Sequence, residues 1–512
     1  MKLKSKLLTI LSSIVVLVVP FDKVNTVSAD VSSDAQVYST GGIWSQLTDE
    51  SELSSEKIQK RPYFSPSYYD ITTDSSVSVY FPEIGDQGSV PSCSGWASTY
   101  YQFTFEINKL NNIPSTPENV YSPAWTYNYL NGGGTAPVSL GDAYEVLQNQ
   151  GAVKMIDYPH ISDINYYSFD WCNDPKQLID ALEYRGKSYT TIDVNEAKHL
   201  ISKGKVAVIW TNNEEWSTVQ NDDGEYVIVR GGKSNNSGHY MTVVGYDDNF
   251  EVTVNGVTLV GAFKLANSWG KEWANDGYVW VSYDALKPYS FYGEQWQECY
   301  GYIERGRIFG GENFNQFSFL DIHHCDVYYA GIARLNSNDM WGFNVNTAYN
   351  DDYSASKWDK SEFVTPKCEE KSYILAFDYF STEGIEVPGL YNKFRTIFSG
   401  NGSQSTYGIK IDVFDNLYNR VSIESASSGK ISMGGNYTYN TVVYLNKGRV
   451  SAYDDSEITY EDVNIVRRYL LGDIKLSNLQ MYLADYNSDG VVNLIDLVYM
   501  QEKVYFSGAG KC

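Results

Sequence analysis

The sequence predicts a multidomain chain: a two-lobed α+β region, then an all-β sandwich, then a small all-α module. Three observations predict it. At 512 residues the chain is too long for one ordinary core and long enough for two to four domains. Between 66 and 308 helical patterns come first and strand patterns later, the order of a two-lobed α+β domain. From about 313 short aromatic and β-branched runs alternate with Asn, Gly, Ser and Asp, and from about 449 helical segments return around two loop-like stretches.

The first residues read as a targeting segment. Lys2, Lys4 and Lys6 precede an apolar run over 7–19, and Val27-Ser28-Ala29 supplies small residues for cleavage, so 1–29 is expected to be a secretory signal. The alternative, an N-terminal membrane anchor, is opposed by length, because a spanning helix needs about 20 apolar residues. No later segment is long and apolar enough to span a bilayer. Residues 30–65 are polar and Ser-rich, with Pro62, and read as a leader, a linker or a short propeptide.

Composition narrows the partners. A hydrophobic content of 43% with 15% aromatics is that of a globular chain, and a formal net charge of -24 repels nucleic acid and anionic membranes. The 44 tyrosines favour strand-rich surfaces. Six cysteines are few for a secreted chain of this size, which is therefore expected to be held by cores rather than by disulfides. A Cys325–Cys368 bridge within the β-rich region is allowed, although connectivity cannot be read from sequence.

Within 66–308, helices are expected over 96–110 and 140–150, and strands over 206–210, 240–246, 261–265 and 278–282. Cys93 stands at the head of the first helix, in Gly85-Asp86-Gln87-Gly88-Ser89-Val90-Pro91-Ser92-Cys93-Ser94-Gly95-Trp96-Ala97. A thiol attacks carbonyl carbon as thiolate, and a helix starting at the cysteine points its positive end at the sulfur. His239 opens a strand after a glycine-containing turn and is the best placed of five histidines to take the thiol proton. Asn267 would accept the other ring N–H, Gln87 would donate to the oxyanion with the Cys93 N–H, and Trp269 would shield the Asn–His bond from water. Alone, each residue reads as core, strand packing or turn. Together, in the order Gln, Cys, His, Asn, they describe one mechanism.

These blocks resemble the papain family of cysteine peptidases, and the resemblance covers about half the chain. It is carried by 85–97, Tyr121-Ser122-Pro123-Ala124, 238–248, and Phe263-Lys264-Leu265-Ala266-Asn267-Ser268-Trp269-Gly270 followed by Trp273, Gly277 and Tyr278. It implies a two-lobed fold, a protein or peptide substrate, and Cys93 as nucleophile, His239 as base, Asn267 as orienter and Gln87 as oxyanion donor. Three positions depart from the family. Ser94 stands where plant and lysosomal members have Trp, with Trp96 taking over its packing; Val90 replaces a disulfide cysteine; and Ala274 replaces a Gly. Subsite specificity therefore does not transfer.

The C-terminal module contains Asp485-Tyr486-Asn487-Ser488-Asp489-Gly490-Val491-Val492-Asn493-Leu494-Ile495-Asp496. Oxygen side chains stand at positions one, three, five and twelve (Asp485, Asn487, Asp489, Asp496), glycine at six, and the Val491 carbonyl at seven: the donor set of an EF-hand-like calcium loop, with Asp instead of Glu at twelve. A second copy ends at Asp462. Its loop starts at Ser451 and runs through Tyr453, Asp455 and Ser456, so carboxylates are missing at one and three, and it is expected to bind calcium weakly or not at all.

The tandem resembles a dockerin, the module that plugs enzymes into cohesin-bearing cellulosome scaffolds. The resemblance implies structural Ca2+, a cohesin partner and a secreted, cellulosome-associated protein. Tyr460, Glu461, Arg467 and Arg468 in one repeat and Leu494 and Ile495 in the other are implied to face cohesin. The two faces differ, which implies a single docking orientation.

Residues 313–447 lie where bacterial papain relatives often carry a lectin-like β-sandwich. Trp341, Tyr349 and Trp358 would either stack on a glycan or pack in the core. The chain thus divides into 1–29, 30–65, 66–308, 313–447 and 449–512, the last being the dockerin. The function expected is that of a secreted cysteine endopeptidase anchored to a scaffold. The alternatives are a catalytically silent papain-fold binding module and an acyltransferase using the same acyl-enzyme.

Overall fold

A computed structural model of the chain describes residues 42–43 and most of 72–509, with short connecting stretches omitted from 213 onward. The expected signal segment, 1–29, and nearly all of 30–65 lie outside the described residues. So do Trp341, Trp358 and Cys368, and so does the Tyr349 side chain.

The helical lobe is built on one continuous helical run. It starts as an α-helix at Cys93–Gly95, continues as a π-helix over Trp96–Phe103 and returns to α over Thr104–Asn111. The expected helix over 96–110 is there, but its π-helical middle has no signature in apolar spacing. Such π segments often sit beside functional sites. Two further helices pack on it, Pro123–Leu130 and Leu140–Gln150. The second spans the expected residues for local reasons. Ser139 caps it by accepting from the Asp142 N–H at 3.1 Å, and Gly151 stops it at φ +57°, where an added Cβ would lie 1.8 Å from the Ala181 carbonyl oxygen.

The core of this lobe is aromatic. Trp96, Trp125, Tyr101, Tyr127, Tyr129 and Tyr144 are fully buried, each worth roughly 3 kcal/mol of transfer free energy. One polar end is tied across to the sheet lobe: the Tyr144 hydroxyl donates to Gln102 Oε1 at 2.7 Å, and Gln102 Nε2 donates to the Val206 carbonyl at 3.1 Å.

The sheet lobe runs in the order Tyr184–Ile192, Asn315–His324, Ala207–Asn212, Gly238–Val254, Val257–Ala266, Tyr278–Ser282, Tyr226–Arg230, Ser217–Gln220. Neighbours are antiparallel except Tyr278–Ser282 on Tyr226–Arg230. All four expected strands appear. One boundary moves. Residues 315–324, which the change in sequence texture places in the β-rich region, fill the sheet between Tyr184–Ile192 and Ala207–Asn212. Their composition resembles that of the later β-rich residues, but their partners are earlier strands, and Phe317 and Phe319 belong to that sheet's core.

Among the described residues of 330–444 the regular elements are strands. Ala330–Ser337 pairs antiparallel with Lys371–Asp378 and Thr406–Phe414, and a second antiparallel sheet is ordered Asp359–Phe363, Phe343–Tyr349, Tyr391–Gly400, Asn436–Tyr444. The C-terminal helices are Tyr460–Leu470, Asn478–Ala484 and Leu494–Ala509. They do not stand apart: the Asn478 backbone N–H donates to Asn416 Oδ1 at 2.7 Å, Asn478 Nδ2 donates to the Val327 carbonyl at 3.0 Å, and the buried Tyr453 hydroxyl donates to Asp415. Cys325 accepts a hydrogen bond from Arg185 Nε at 3.2 Å, and its sequence-allowed partner Cys368 lies outside the described residues. No helix among the described residues is long and apolar enough to cross a membrane.

Candidate active site and calcium module

The site lies where the first turn of the long helix meets the sheet. Cys93 is the first residue of the helix and is fully buried. No side chain caps this helix start, which leaves its positive end at the sulfur. Gly95 is required by packing, since a Cβ there would lie 2.4 Å from the Pro123 carbonyl oxygen. The helix start packs against Gly238–Val254, the strand that carries His239. Tyr240, the next residue on that strand, is close enough for a Cys93 thiolate to add to the burial that raises its hydroxyl pKa.

His239 is fully buried, with Nε2 2.7 Å from Asn267 Oδ1. The same Asn267 oxygen accepts the Ser268 backbone N–H at 2.8 Å, which identifies it as the carbonyl end of the amide. His239 Nε2 must therefore donate, and its Nδ1, buried and without a hydrogen-bond partner, carries the basic lone pair. Burial pushes the imidazole down to about 4, against the opposing effect of the Asn267 hydrogen bond, so the ring is neutral near pH 7. Trp269 stacks on the ring at 4.6 Å and 27°.

Asn267 and Gln87 are tied to each other through residues that sequence reasoning did not single out. The Tyr101 hydroxyl donates to the Asn267 carbonyl at 2.7 Å and accepts from the Gly85 N–H at 3.1 Å. Ser268 donates its hydroxyl to Gln87 Oε1 at 2.6 Å and accepts the Gln87 N–H at its carbonyl at 2.8 Å. That fixes the Gln87 amide with Nε2 toward the nucleophile turn, where it donates to the Val90 carbonyl at 3.0 Å. Ser268 adjoins Asn267 in the motif, but its partner lies 181 residues away and leaves no trace in the sequence.

A second histidine also lay outside the sequence expectation. His160 Nε2 lies 2.9 Å from the hydroxyl of Ser92, the residue before Cys93. His160 is buried edge-on against Trp96 and Tyr167, and burial pushes it down to about 3. Trp96 is buried and packs over Gly85. Ala274 sits at φ +48°, which explains why glycine is usual there and means that this chain carries a strained residue at that turn.

In the C-terminal module both copies of the loop keep one contact. The residue at position nine donates its backbone N–H to the carboxylate at twelve, Thr459 to Asp462 at 2.7 Å and Asn493 to Asp496 at 2.9 Å, and a helix starts at position ten in each. In the second loop Asp485 accepts the Asp489 and Gly490 N–H groups, both at 3.0 Å, Asn487 accepts the Asp489 N–H at 3.0 Å, and Gly490 makes the turn at φ +87°. The carboxylates turn onto these N–H groups, and among the described residues no three acidic, imidazole or thiol groups converge on one point. The donor set nonetheless fits a hard cation: Asp496 is fully buried, Asp485 and Asp489 add charge, and the loop closes on itself. Tyr460, Glu461, Arg467, Arg468, Leu494 and Ile495 are all exposed.

Two family models match the chain. Residues 66–292 match the papain family cysteine protease model and residues 453–504 the dockerin type I domain. The chain carries a papain-family cysteine protease domain over 66–292 and a dockerin type I domain over 453–504. Solved structures similar to it are papain-like proteases. Xylellain, a cysteine protease from Xylella fastidiosa, shares 21% identity over 42% of this chain and 81% of its own, with a TM-score of 0.32. Bromelain from Ananas comosus shares 14% identity over 49% of this chain and 98% of its own, TM-score 0.34, and procathepsin B from Trypanosoma congolense 17% over 55% and 87%, TM-score 0.36. The family assignment rests on the matched models. No curated protein matches the chain. A cysteine protease domain implies protein substrates, and a dockerin implies cohesin and calcium binding and suggests association with an extracellular cellulosome.

Proposed function

We propose that the papain-family region is a working endopeptidase with Cys93, His239, Asn267 and Gln87 in its catalytic roles, secreted and held on a cellulosome scaffold by the dockerin. The observation that carries the reading is the His239–Asn267 pair. Asn267 Oδ1 accepts the hydrogen bond from Nε2–H, Trp269 stacks on the imidazole, and Nδ1 is left as the base. In the reaction Cys93 gives its proton to Nδ1 as Sγ bonds to the peptide carbonyl carbon. Charge moves onto the carbonyl oxygen, where Gln87 Nε2 and the Cys93 N–H receive it. The C–N bond then breaks, the amine leaves with the proton from Nδ1, and a thioester remains. Water, deprotonated by the same nitrogen, hydrolyses the thioester and restores the thiol.

The leader supports a zymogen. Gly42–Ile43 forms a strand paired in parallel with Val138–Ser139 of the helical lobe, and Gly42 pairs antiparallel with Gly238, the residue before His239. A segment held between the two lobes beside the base competes with substrate for the same backbone groups. In the dockerin, Asp485, Asn487, Asp489, the Val491 carbonyl and Asp496 hold one calcium ion, which supplies the positive charge that closes the loop. Cohesin docks on Tyr460, Glu461, Arg467, Arg468, Leu494 and Ile495 in one orientation. Residues 330–444 form a lectin-like sandwich.

The test is labelling with an epoxide probe selective for papain-type thiols, read by peptide mapping, with Cys93→Ala as control. Label on Cys93 that rises at least about tenfold once 30–65 is clipped is the expected result. Equal labelling before and after clipping removes the zymogen, and no label in either form removes the peptidase assignment of Cys93. Partition of the acyl-enzyme between water and an added amine separates hydrolysis from acyl transfer.

A further inference from the structure

The first dockerin loop does not fit a metal ion. We infer that the guanidinium of Arg449, two residues ahead of this loop, is its resident cation, so that the first repeat is closed without calcium.

Three loop positions converge on that guanidinium. Arg449 Nη1 donates to both oxygens of Asp462, at 3.0 and 2.8 Å, where Asp462 is the position-twelve carboxylate and is fully buried. Nη1 also donates to the hydroxyl of Ser451 at position one, and Nε donates to the Ser456 hydroxyl at position six, 2.7 Å away. Arg449 itself is only 8% exposed. A buried carboxylate needs a cation or several donors. Asp462 has the Arg449 charge together with the N–H groups of Val450, Ser451 and Thr459 and the Thr459 hydroxyl, at 2.7–2.9 Å. Burial alone would raise its pKa, but donors from Ser451 and Thr459 hold the carboxyl below the usual carboxylate range.

The second loop differs in what its neighbouring cation meets: Lys447 Nζ donates to the Tyr482 and Asp485 backbone carbonyls at 2.6 and 2.8 Å, where Arg449 meets the position-twelve carboxylate itself. Asp496, at the same position, accepts the Asn487 and Asn493 N–H groups, and the residue two ahead of its loop is Leu483, an apolar core residue. The serines at one and six fit the same logic. They present hydroxyl acceptors that a guanidinium can use, where a divalent ion calls for carboxylate at one and the sharp turn calls for glycine at six. The planar fork reaches three positions from one side and carries its charge permanently. A protein cation of this kind cannot dissociate, so the helix Tyr460–Leu470 is anchored before any metal arrives. Calcium then orders only the second repeat. The difference between the repeats rests in part on the calcium reading of that second loop.

The experiment is hydrogen exchange on the full chain, in chelator and in calcium chloride, for wild type, Arg449→Gln and Arg449→Lys, with calcium stoichiometry by native mass spectrometry. In wild type, calcium is expected to slow exchange over 485–497, to leave 450–463 unchanged, and to bind as one ion per chain. Arg449→Gln is expected to speed exchange over 450–463 by about a hundredfold or more, with no rescue by calcium, and Arg449→Lys to fall between, because an ammonium keeps the charge but not the fork. Calcium protection of 450–463 in wild type, a second bound ion, or wild-type exchange in Arg449→Gln overturns the inference. Failure of calcium to protect 485–497 would overturn the second-loop reading alone, since the chelator arms for Arg449 do not depend on it.

Discussion

The peptidase site and the dockerin loops are assembled in opposite ways. Gln87, Cys93, His239 and Asn267 come from segments spread over 181 positions, and their geometry is set by intermediaries such as Ser268 and Tyr101. Each calcium-type loop brings its donors within twelve consecutive residues. The distributed site depends on the packing of two lobes, so it tolerates little change far from the chemistry. The local loop depends on its own turn, so one repeat can lose its metal ligands and keep its helix, provided a nearby side chain replaces the charge. Robustness in the first case comes from burial and in the second from electrostatic closure.

The largest expected effect breaks the distributed site at its base. His239→Ala is expected to lower kcat/KM on peptide substrates by about 10^4-fold or more, and Asn267→Ala, which keeps the imidazole but releases its orientation, by about 10^2-fold. Steady-state kinetics on the processed enzyme checks both. Equal losses would mean that Asn267 does more than orient.

The next effect isolates the local loop. Asp496→Ala is expected to weaken calcium binding by about 100-fold or more and to abolish calcium-dependent cohesin binding, with peptide hydrolysis unchanged. Calorimetry and a cohesin pull-down test the first two. A fall in hydrolysis would show that the two regions are energetically coupled through the contacts of Asn478 and Tyr453 with the rest of the chain.

The smallest effect sharpens the comparison through pH. His160 is neutral in the fold, its pKa pushed from 6.5 down to about 3 by burial. Between those values the unfolded chain binds a proton that the folded chain does not. The stability contribution is therefore complete above pH 6.5 and is lost as pH falls from 6.5 toward 3, by up to about 1.4 kcal/mol per pH unit. His160→Gln is expected to flatten the acid slope of urea unfolding midpoints for the peptidase region by that amount and to leave the dockerin unaffected. An unchanged slope would mean that His160 is protonated or exposed in solution.

Much of this was legible in the sequence. Helix 140–150 carried its own cap and stop in Ser139 and Gly151, and strands 240–246 and 278–282 carried alternation or apolar runs. The residues of the candidate site were legible because the chemistry of thiol attack requires a base, an orienter and an oxyanion donor in recognisable local settings. The placement of 315–324 was not legible, because a strand's composition reports that it is a strand and not which sheet it completes. The π-helical turn at Trp96–Phe103 was hidden for a related reason: it changes hydrogen-bond spacing without changing residue type.

What the sequence determined by itself is therefore the set of local instructions: where helices begin and end, which segments alternate as strands, which twelve residues can wrap an ion, and which side chains can do nucleophilic chemistry. These come from φ/ψ preference, capping and donor identity, all short-range along the chain. Tertiary structure alone decided which distant groups meet. It set the His239 tautomer through Ser268 and Asn267 and the Gln87 amide through Ser268. The physical reason is that a buried polar group takes whatever partner the packing brings within about 3 Å, and that partner need not lie nearby in the chain.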